Sequence, residues 1–140
     1  MSGELLFADT NLFLRYLTND DPGQADAFEH MLREAAQGDF TFVTNGLVMA
    51  EIVWTLESYY RIAREEIQSK VLAILNTPGL EVEDGGLVLQ AILWYVEKRV
   101  DFRDAYNVAW MGSQDIQIAC TFDRKHFGLF AGLTIKVPGE

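Results

Sequence analysis

Four acidic residues lie where a carboxylate could do chemistry. Asp9 follows an apolar run, Glu51 interrupts an apolar segment, Asp104 falls near the start of a predicted helix, and Asp123 follows a late strand-like run. Carboxylate oxygens are the ligands that Mg²⁺ and Mn²⁺ prefer, often with substrate phosphate oxygens and retained waters. If the four acids converge, they predict a divalent-metal site that activates water to hydrolyse a phosphodiester, without a covalent enzyme intermediate.

Glu51 is the most informative of the four, because it is the only charge in the otherwise apolar segment 47–54. At helical spacing it shares a face with Leu47 and Trp54, so we expect that face to be mostly buried. A buried carboxylate requires a cation, a metal ion or a proton. A salt bridge to an arginine would meet the same need, and the sequence leaves that alternative open.

Each of the other three acids also has a structural interpretation. An Asp that follows a strand often caps a helix or a turn, and Asp9 could do so in competition with Thr10 or Asn11. With Asp101 as the N-cap, Asp104 would occupy the third position of its helix, where an acid favours the positive helix end. In that arrangement Asp101 caps the helix while Asp104 supplies a ligand, although Asp101 could share that role.

The apolar periodicity predicts strands that alternate with helices. Predicted strands are 5–8, 40–43, 80–82, 116–122 and 133–137, and predicted helices are 12–17, 22–38, 45–59, 63–75, 87–98 and 102–111. This order is typical of an α/β fold with a central, mostly parallel sheet of about five strands and helices on both faces. Ligands bind such sheets at the carboxyl ends of the strands, where we expect both Asp9 and Asp123.

Length and composition indicate one compact domain, residues 1–140. The 140 residues are 49 % hydrophobic, which is enough for a substantial core. No segment approaches the roughly 18 apolar residues of a membrane span, so we expect neither a signal peptide nor a membrane anchor. The single cysteine, Cys120, has no partner for a disulfide or a cysteine metal cluster. The predicted compartment is the cytoplasm.

The net charge of −10 argues against a nucleic-acid partner, because affinity for phosphates comes largely from Lys and Arg. The distribution of basic residues is more favourable, because several lie within six positions of the candidate acids. These are Arg15, Lys98, Arg99, Arg103, Arg124 and Lys125. They could form a cationic rim around an acidic centre, or they could be ordinary solvated side chains at the ends of elements.

Other kinds of site are less well supported. The two histidines, His30 and His126, do not form a pair at metal-ligand spacing, so the sequence favours Mg²⁺ or Mn²⁺ over zinc. Gly85-Gly86 lacks the flanking pattern of a phosphate loop. Trp54, Trp94, Tyr95 and Trp110 occupy apolar helical positions, which indicates packing in the core or at a subunit interface rather than base stacking.

Four segments complete the pattern: FADTNLFLRYL at 7–17, AE at 50–51, DFRDA at 101–105 and TFDRKHF at 121–127. In this order the chain resembles PIN-domain ribonucleases, particularly the VapC-type toxins of bacterial and archaeal toxin–antitoxin pairs. The resemblance extends over essentially the whole chain. It implies a three-layer fold, Mg²⁺- or Mn²⁺-dependent endoribonuclease activity on RNA, frequent homodimers and inhibition by a cognate antitoxin protein.

The acidic quartet of that family corresponds to Asp9, Glu51, Asp104 and Asp123. The resemblance implies that Asp9 and Asp104 bind the principal metal ion and that Glu51 and Asp123 complete the site directly or through water. Two alternatives remain. The acidic, aromatic-rich chain could be a catalytically silent PIN-like module that binds proteins. A phosphatase or phospho-acceptor domain that uses Asp9 is less favoured, because a nearby Lys or a second Asp two residues on is lacking.

Overall fold

The computed structural model describes residues 3–140, in which strands and helices alternate as predicted. The strands are β1 (Leu5–Phe7), β2 (Thr41–Thr44), β3 (Leu80–Val82), β4 (Ile118–Cys120) and β5 (Thr134–Lys136). The helices are α1 (Thr10–Thr18), α2 (Pro22–Ala36), α3 (Gly46–Ser58), α4 (Arg64–Leu75), α5 (Gly85–Glu97), α6 (Phe102–Ser113) and α7 (Arg124–Phe127). The α/β fold class is confirmed, and only the short α7 lacks a predicted counterpart.

All strand pairing in the described chain is parallel, but the strands form two sheets. One sheet has the order β1-β2-β3, with Leu6 opposite Phe42 and Phe42 opposite Leu80. In the other, β4 pairs with β5 and Ala119 lies opposite Ile135.

Local side-chain hydrogen bonds explain where three of the helices begin. Asp21 accepts from the Gln24 N–H at 3.1 Å, and Pro22 opens the first turn of α2. In α3, Asn45 accepts from the Val48 N–H at 3.0 Å. The Asp101 cap of α6, which the sequence predicts, is confirmed in the same way.

The core lies between the three-stranded sheet and the helices. Phe28 links α2 to β2 through edge-to-face contact with Phe42, with ring centres 5.4 Å apart. Of the aromatic residues assigned to packing, Tyr95 is buried and Trp94 contacts Phe130. Trp54 and Trp110 are 61 % and 46 % exposed, so the prediction that they pack in the core does not hold for them. No helix in residues 3–140 has both the length and the apolar content to cross a bilayer.

Candidate metal centre

Asp104, Asp123 and His126 bring potential metal-ligating atoms within 4.8 Å of one another. Asp104 lies in the first turn of α6, Asp123 lies between β4 and α7, and His126 is in α7. Within residues 3–140, this is the one group of three such side chains at that spacing. Two of the four predicted acids are therefore close in space although they are far apart in the sequence.

The Asp123 carboxylate is fixed by its own short helix. Its Oδ1 accepts the His126 backbone N–H at 3.0 Å, and its Oδ2 lies 2.7 Å from His126 Nδ1. The Thr121 hydroxyl accepts the Asp123 backbone N–H at 2.9 Å, which also fixes the backbone at this residue. The hydrogen bonds from the backbone and then the ring of His126 lower the pKa of Asp123, so its charged form is favoured.

The surroundings of Asp104 shift its pKa in the direction opposite to that of Asp123. Its side chain is half-buried, and no hydrogen bond or ion pair to its carboxylate forms within the described chain. Burial raises the pKa of Asp104, and the negative charges of Asp101 and Asp123 raise it further. The charges of His126 and Arg103 offset these effects only in part. The cluster thus contains a carboxylate without a hydrogen-bond or ion-pair partner beside an ionised one, a set of oxygen donors that fits a divalent cation.

Asp101 caps α6 and is not one of the clustered ligands. Its Oδ1 accepts the Arg103 N–H at 2.8 Å, which satisfies a backbone donor of the first turn. Asp101 therefore caps the helix, and the Asp104 carboxylate remains available to bind a ligand.

The chain just before α6 is fixed by α4. Arg64 donates to the carbonyl oxygens of Tyr95 and Val100 at 2.8 and 2.7 Å, and its guanidinium lies 4.2 Å from the centre of the Tyr95 ring. Next to it in α4, Glu65 forms an ion pair with Arg99, whose φ of 56° turns the chain toward α6. These contacts determine where α6 begins and therefore where Asp104 lies.

Asp9 occupies the predicted position at the end of β1, but it lies outside the cluster. The Ala8 N–H bonds the Val43 carbonyl at 2.9 Å, and the buried Thr44 hydroxyl donates to the Ala8 carbonyl at 3.0 Å. Although Asp9 precedes α1, its side chain makes no capping hydrogen bond. It is exposed and lines a surface hollow with Asn11, so its carboxylate is available to a ligand.

The prediction that Glu51 lies on a buried face is wrong. Glu51 is exposed, and its neighbours Leu47 and Trp54 are 72 % and 61 % exposed. The helix is apolar on nearly every side, but only the other side packs into the core. Glu51 forms no ion pair in the described chain and shares a shallow depression with Arg103 of α6. The buried residues of α3 are Val48, Met49, Ile52, Val53 and Leu56.

The arginines of the predicted cationic rim are paired with local acids. Arg15 lies 3.2 Å from Asp20 and Arg103 lies 3.6 Å from Asp101. Arg99 and Arg124 pair with Glu65 and Glu140. This pattern favours the interpretation as ordinary charges at element ends. Lys125 differs, because its charge acts on the Asp123 carboxylate and helps to lower its pKa.

His126 is the member of the cluster that sequence reasoning missed. His126 has no histidine partner at metal-ligand spacing, so the sequence did not indicate it as a ligand, yet its ring lies beside Asp123. The available signal was the spacing of three residues at the start of a short helix, which places the two side chains on the same side.

Comparisons with known proteins identify the family of the chain. The sequence matches the PIN domain over residues 6–132. The chain belongs to the PIN-domain family. The PIN-domain resemblance drawn from the motifs is therefore confirmed. A VapC ribonuclease of Aquifex aeolicus (strain VF5) is 27 % identical over 118 residues, which are 84 % of this PIN-domain chain and 86 % of that protein.

One solved structure can be aligned with this PIN domain over almost its whole length. It is VapBC2 from Rickettsia felis, bound to a DNA fragment from its promoter. The alignment covers 95 % of this chain and 98 % of that one, at 14 % sequence identity and a TM-score of 0.40.

Proposed function

We propose that this PIN-domain protein is a Mg²⁺- or Mn²⁺-dependent endoribonuclease and the toxin of a toxin–antitoxin pair. The observation that carries the proposal is the uncompensated Asp104 carboxylate beside the ionised Asp123. The similarity to a VapC ribonuclease supports RNA as the substrate. The likeness to VapC proteins also makes an antitoxin the expected partner, and we place the activity in the cytoplasm.

The donor set fits a hard divalent ion. Asp104 and Asp123 would contribute direct ligands, while Asp9 and Glu51, which lie outside the cluster, would complete the site directly or through water. Such an ion supplies a water nucleophile of lowered pKa and stabilises charge on the attacked phosphate.

The residues around the ligands have separate tasks. Thr121 and His126 hold Asp123 in position, and Asp101 keeps α6 capped so that Asp104 need not serve as the cap. Lys125 supplies positive charge beside Asp123, where a phosphate of the substrate would approach. In this arrangement the chain orients the carboxylates and attracts the RNA backbone.

The test is cleavage of labelled total RNA by purified protein with Mg²⁺, Mn²⁺ or EDTA. We expect metal-dependent fragments from the wild type, and their loss in Asp104→Asn and Asp9→Asn while both variants stay folded. Asp26→Asn is the matched control, because Asp26 is exposed on α2 and outside the cluster. Cleavage that survives Asp104→Asn would contradict the proposed site.

A catalytically silent PIN-like module that binds protein is the second candidate. The exposed apolar side chains Leu47 and Trp54 on α3 and Trp110 on α6 favour it, because such residues are common at protein interfaces. The same residues are compatible with a homodimer or with an antitoxin bound to an active toxin. The absence of cleavage by folded wild type, with an intact complex with the antitoxin, would support the silent module.

A further inference from the structure

We propose that His126 is a direct metal ligand, so that Asp104, Asp123 and His126 form a mixed oxygen–nitrogen centre that binds Mn²⁺ in preference to Mg²⁺. This inference rests on the proposed metal site and adds a ligand to the acidic quartet. It follows from the position of the imidazole ring, which lies among the ligand atoms of both aspartates.

The distances are close to those that a single ion requires. Two atoms bound to one ion at about 2.0–2.2 Å can lie no more than about 4.4 Å apart. The three ligand atoms lie within 4.8 Å of one another, and His126 Nδ1 is 2.7 Å from Asp123 Oδ2. Rotation of the exposed His126 side chain, which would free Nδ1 from Asp123 Oδ2, would therefore let all three atoms approach one ion.

If the His126 ring only oriented Asp123, less of the geometry would be explained than if the ring binds the metal ion. In many metal sites a second residue fixes a ligand through a hydrogen bond. Here the backbone N–H of His126 already holds one carboxylate oxygen of Asp123, at 3.0 Å, without the ring. The His126 side chain is 47 % exposed and its contact with Asp123 is a surface contact, so little is lost when the ring turns to a metal ion.

An imidazole ligand also changes which ion is preferred. Mg²⁺ binds oxygen ligands in near-ideal octahedral geometry and gives up its waters reluctantly. First-row transition ions accept nitrogen ligands more readily. With two carboxylates and one imidazole, the centre should therefore bind Mn²⁺ more tightly than Mg²⁺, and His126 should account for the difference.

The experiment is Mn²⁺ binding to the full chain, followed by electron paramagnetic resonance. Pulsed spectra detect the nitrogen of a directly bound imidazole, which is a readout independent of RNA cleavage. His30→Gln is the matched control, because His30 and His126 are the two histidines of the chain. We expect the imidazole nitrogen signal in the wild type and in His30→Gln, and its loss in His126→Gln.

Affinity gives the second readout. We expect His126→Gln to weaken Mn²⁺ binding by about 10-fold or more and to change Mg²⁺ binding much less, measured by calorimetric titration and by competition between the ions. The wild type and His30→Gln decide the question even if His126→Gln fails to fold, since any histidine signal in His30→Gln must come from His126.

The outcomes separate this inference from the proposed function. Mn²⁺ bound by the wild type without an imidazole signal would overturn His126 as a ligand and leave the carboxylate site standing. Equal affinities for Mn²⁺ and Mg²⁺ would overturn the stated preference. If the wild type binds no Mn²⁺, or if Asp104→Asn does not weaken binding, the metal site fails and the inference fails with it.

Discussion

Two charged clusters near the start of α6 differ in how their charges are balanced. Around Arg64 every group has a partner: the guanidinium bonds two carbonyls, stacks on Tyr95 and lies 3.8 Å from Glu57, which accepts the Tyr95 hydroxyl. Around Asp104 two carboxylates lie close together, and that of Asp104 has no hydrogen-bond or ion-pair partner in the described chain.

The difference indicates that the Arg64 cluster has a structural role and that the Asp104 cluster has a binding role. Satisfied polar groups at the junction of α4, α5 and the loop stabilise the fold and have little affinity left for a ligand. An uncompensated carboxylate costs stability and is tolerated where a cation relieves it. Mutations in the Arg64 cluster should therefore change stability, while mutations in the Asp104 cluster should change binding and activity.

The largest expected effect is loss of stability in Arg64→Ala. The change leaves the carbonyls of Tyr95 and Val100 without their donor, and the Arg64 side chain is only 24 % exposed. We expect the free energy of unfolding to fall by about 3 kcal/mol, measured by urea denaturation.

Arg33→Ala on α2 is the control for that prediction. Arg33 pairs with Glu29 at 3.2 Å, but its side chain is 72 % exposed, so the loss should be at most about 0.5 kcal/mol. Arg64→Lys should recover only part of the stability, because an ammonium group does not match two carbonyls and an aromatic face as a planar guanidinium does. Equal losses in Arg64→Ala and Arg33→Ala would remove the distinction between the clusters.

The next largest expected effect is a loss of RNA cleavage when the Asp104 cluster is changed. Loss of a residue that merely orients a metal ligand costs roughly 10- to 100-fold in metal affinity or activity, so Asp104→Asn should lower RNA cleavage by at least about 100-fold. That is about 2.7 kcal/mol in the barrier. Initial cleavage rates at saturating Mn²⁺ measure it, and a melting curve should show a folded variant. Asp101→Asn should retain more activity, because Asp101 caps the helix and lies outside the cluster.

A smaller effect is expected for Tyr95→Phe. The change removes the hydroxyl that donates to Glu57 but keeps the ring on which Arg64 stacks. Because the Glu57 side chain is 43 % exposed, water can replace the lost donor, and we expect a loss of about 1 kcal/mol in unfolding free energy. RNA cleavage at low temperature should not change. A fall in activity without a fall in stability would place Tyr95 in the catalytic site.

Local sequence signals predicted the order of elements and the Asp101 cap, because each depends on residues a few positions apart. They failed for Glu51, since periodicity shows which faces are apolar but not which face meets the core. The division into two sheets also depends on long-range pairing that no local pattern encodes.

Within the site, motif resemblance nominated Asp104 and Asp123, but their proximity depends on how α6 and β4 are placed by the rest of the fold. Arg64 carried no visible signal, because its partners are backbone carbonyls more than 30 positions away. His126 forms no pair with the other histidine, and its sequence signal is instead the spacing of three residues from Asp123.

The smallest expected effect is a pH dependence of the metal-free protein. The folded pKa of Asp104 is raised above its ordinary value of 3.8, so the folded state holds the proton more tightly than the unfolded state. Stability should therefore fall as pH rises from that ordinary value through the raised one. In EDTA, Asp104→Asn should remove this fall and melt at a higher temperature than wild type at pH 7.

Asp123→Asn should have the opposite effect on stability. The folded pKa of Asp123 is lowered, so its ionised form stabilises the fold at pH values above its ordinary pKa. Melting temperatures at closely spaced pH values between about 3 and 7 measure both changes. Equal melting temperatures for wild type and Asp104→Asn across that range would show that the Asp104 charge is already compensated, and the contrast with the Arg64 cluster would then disappear.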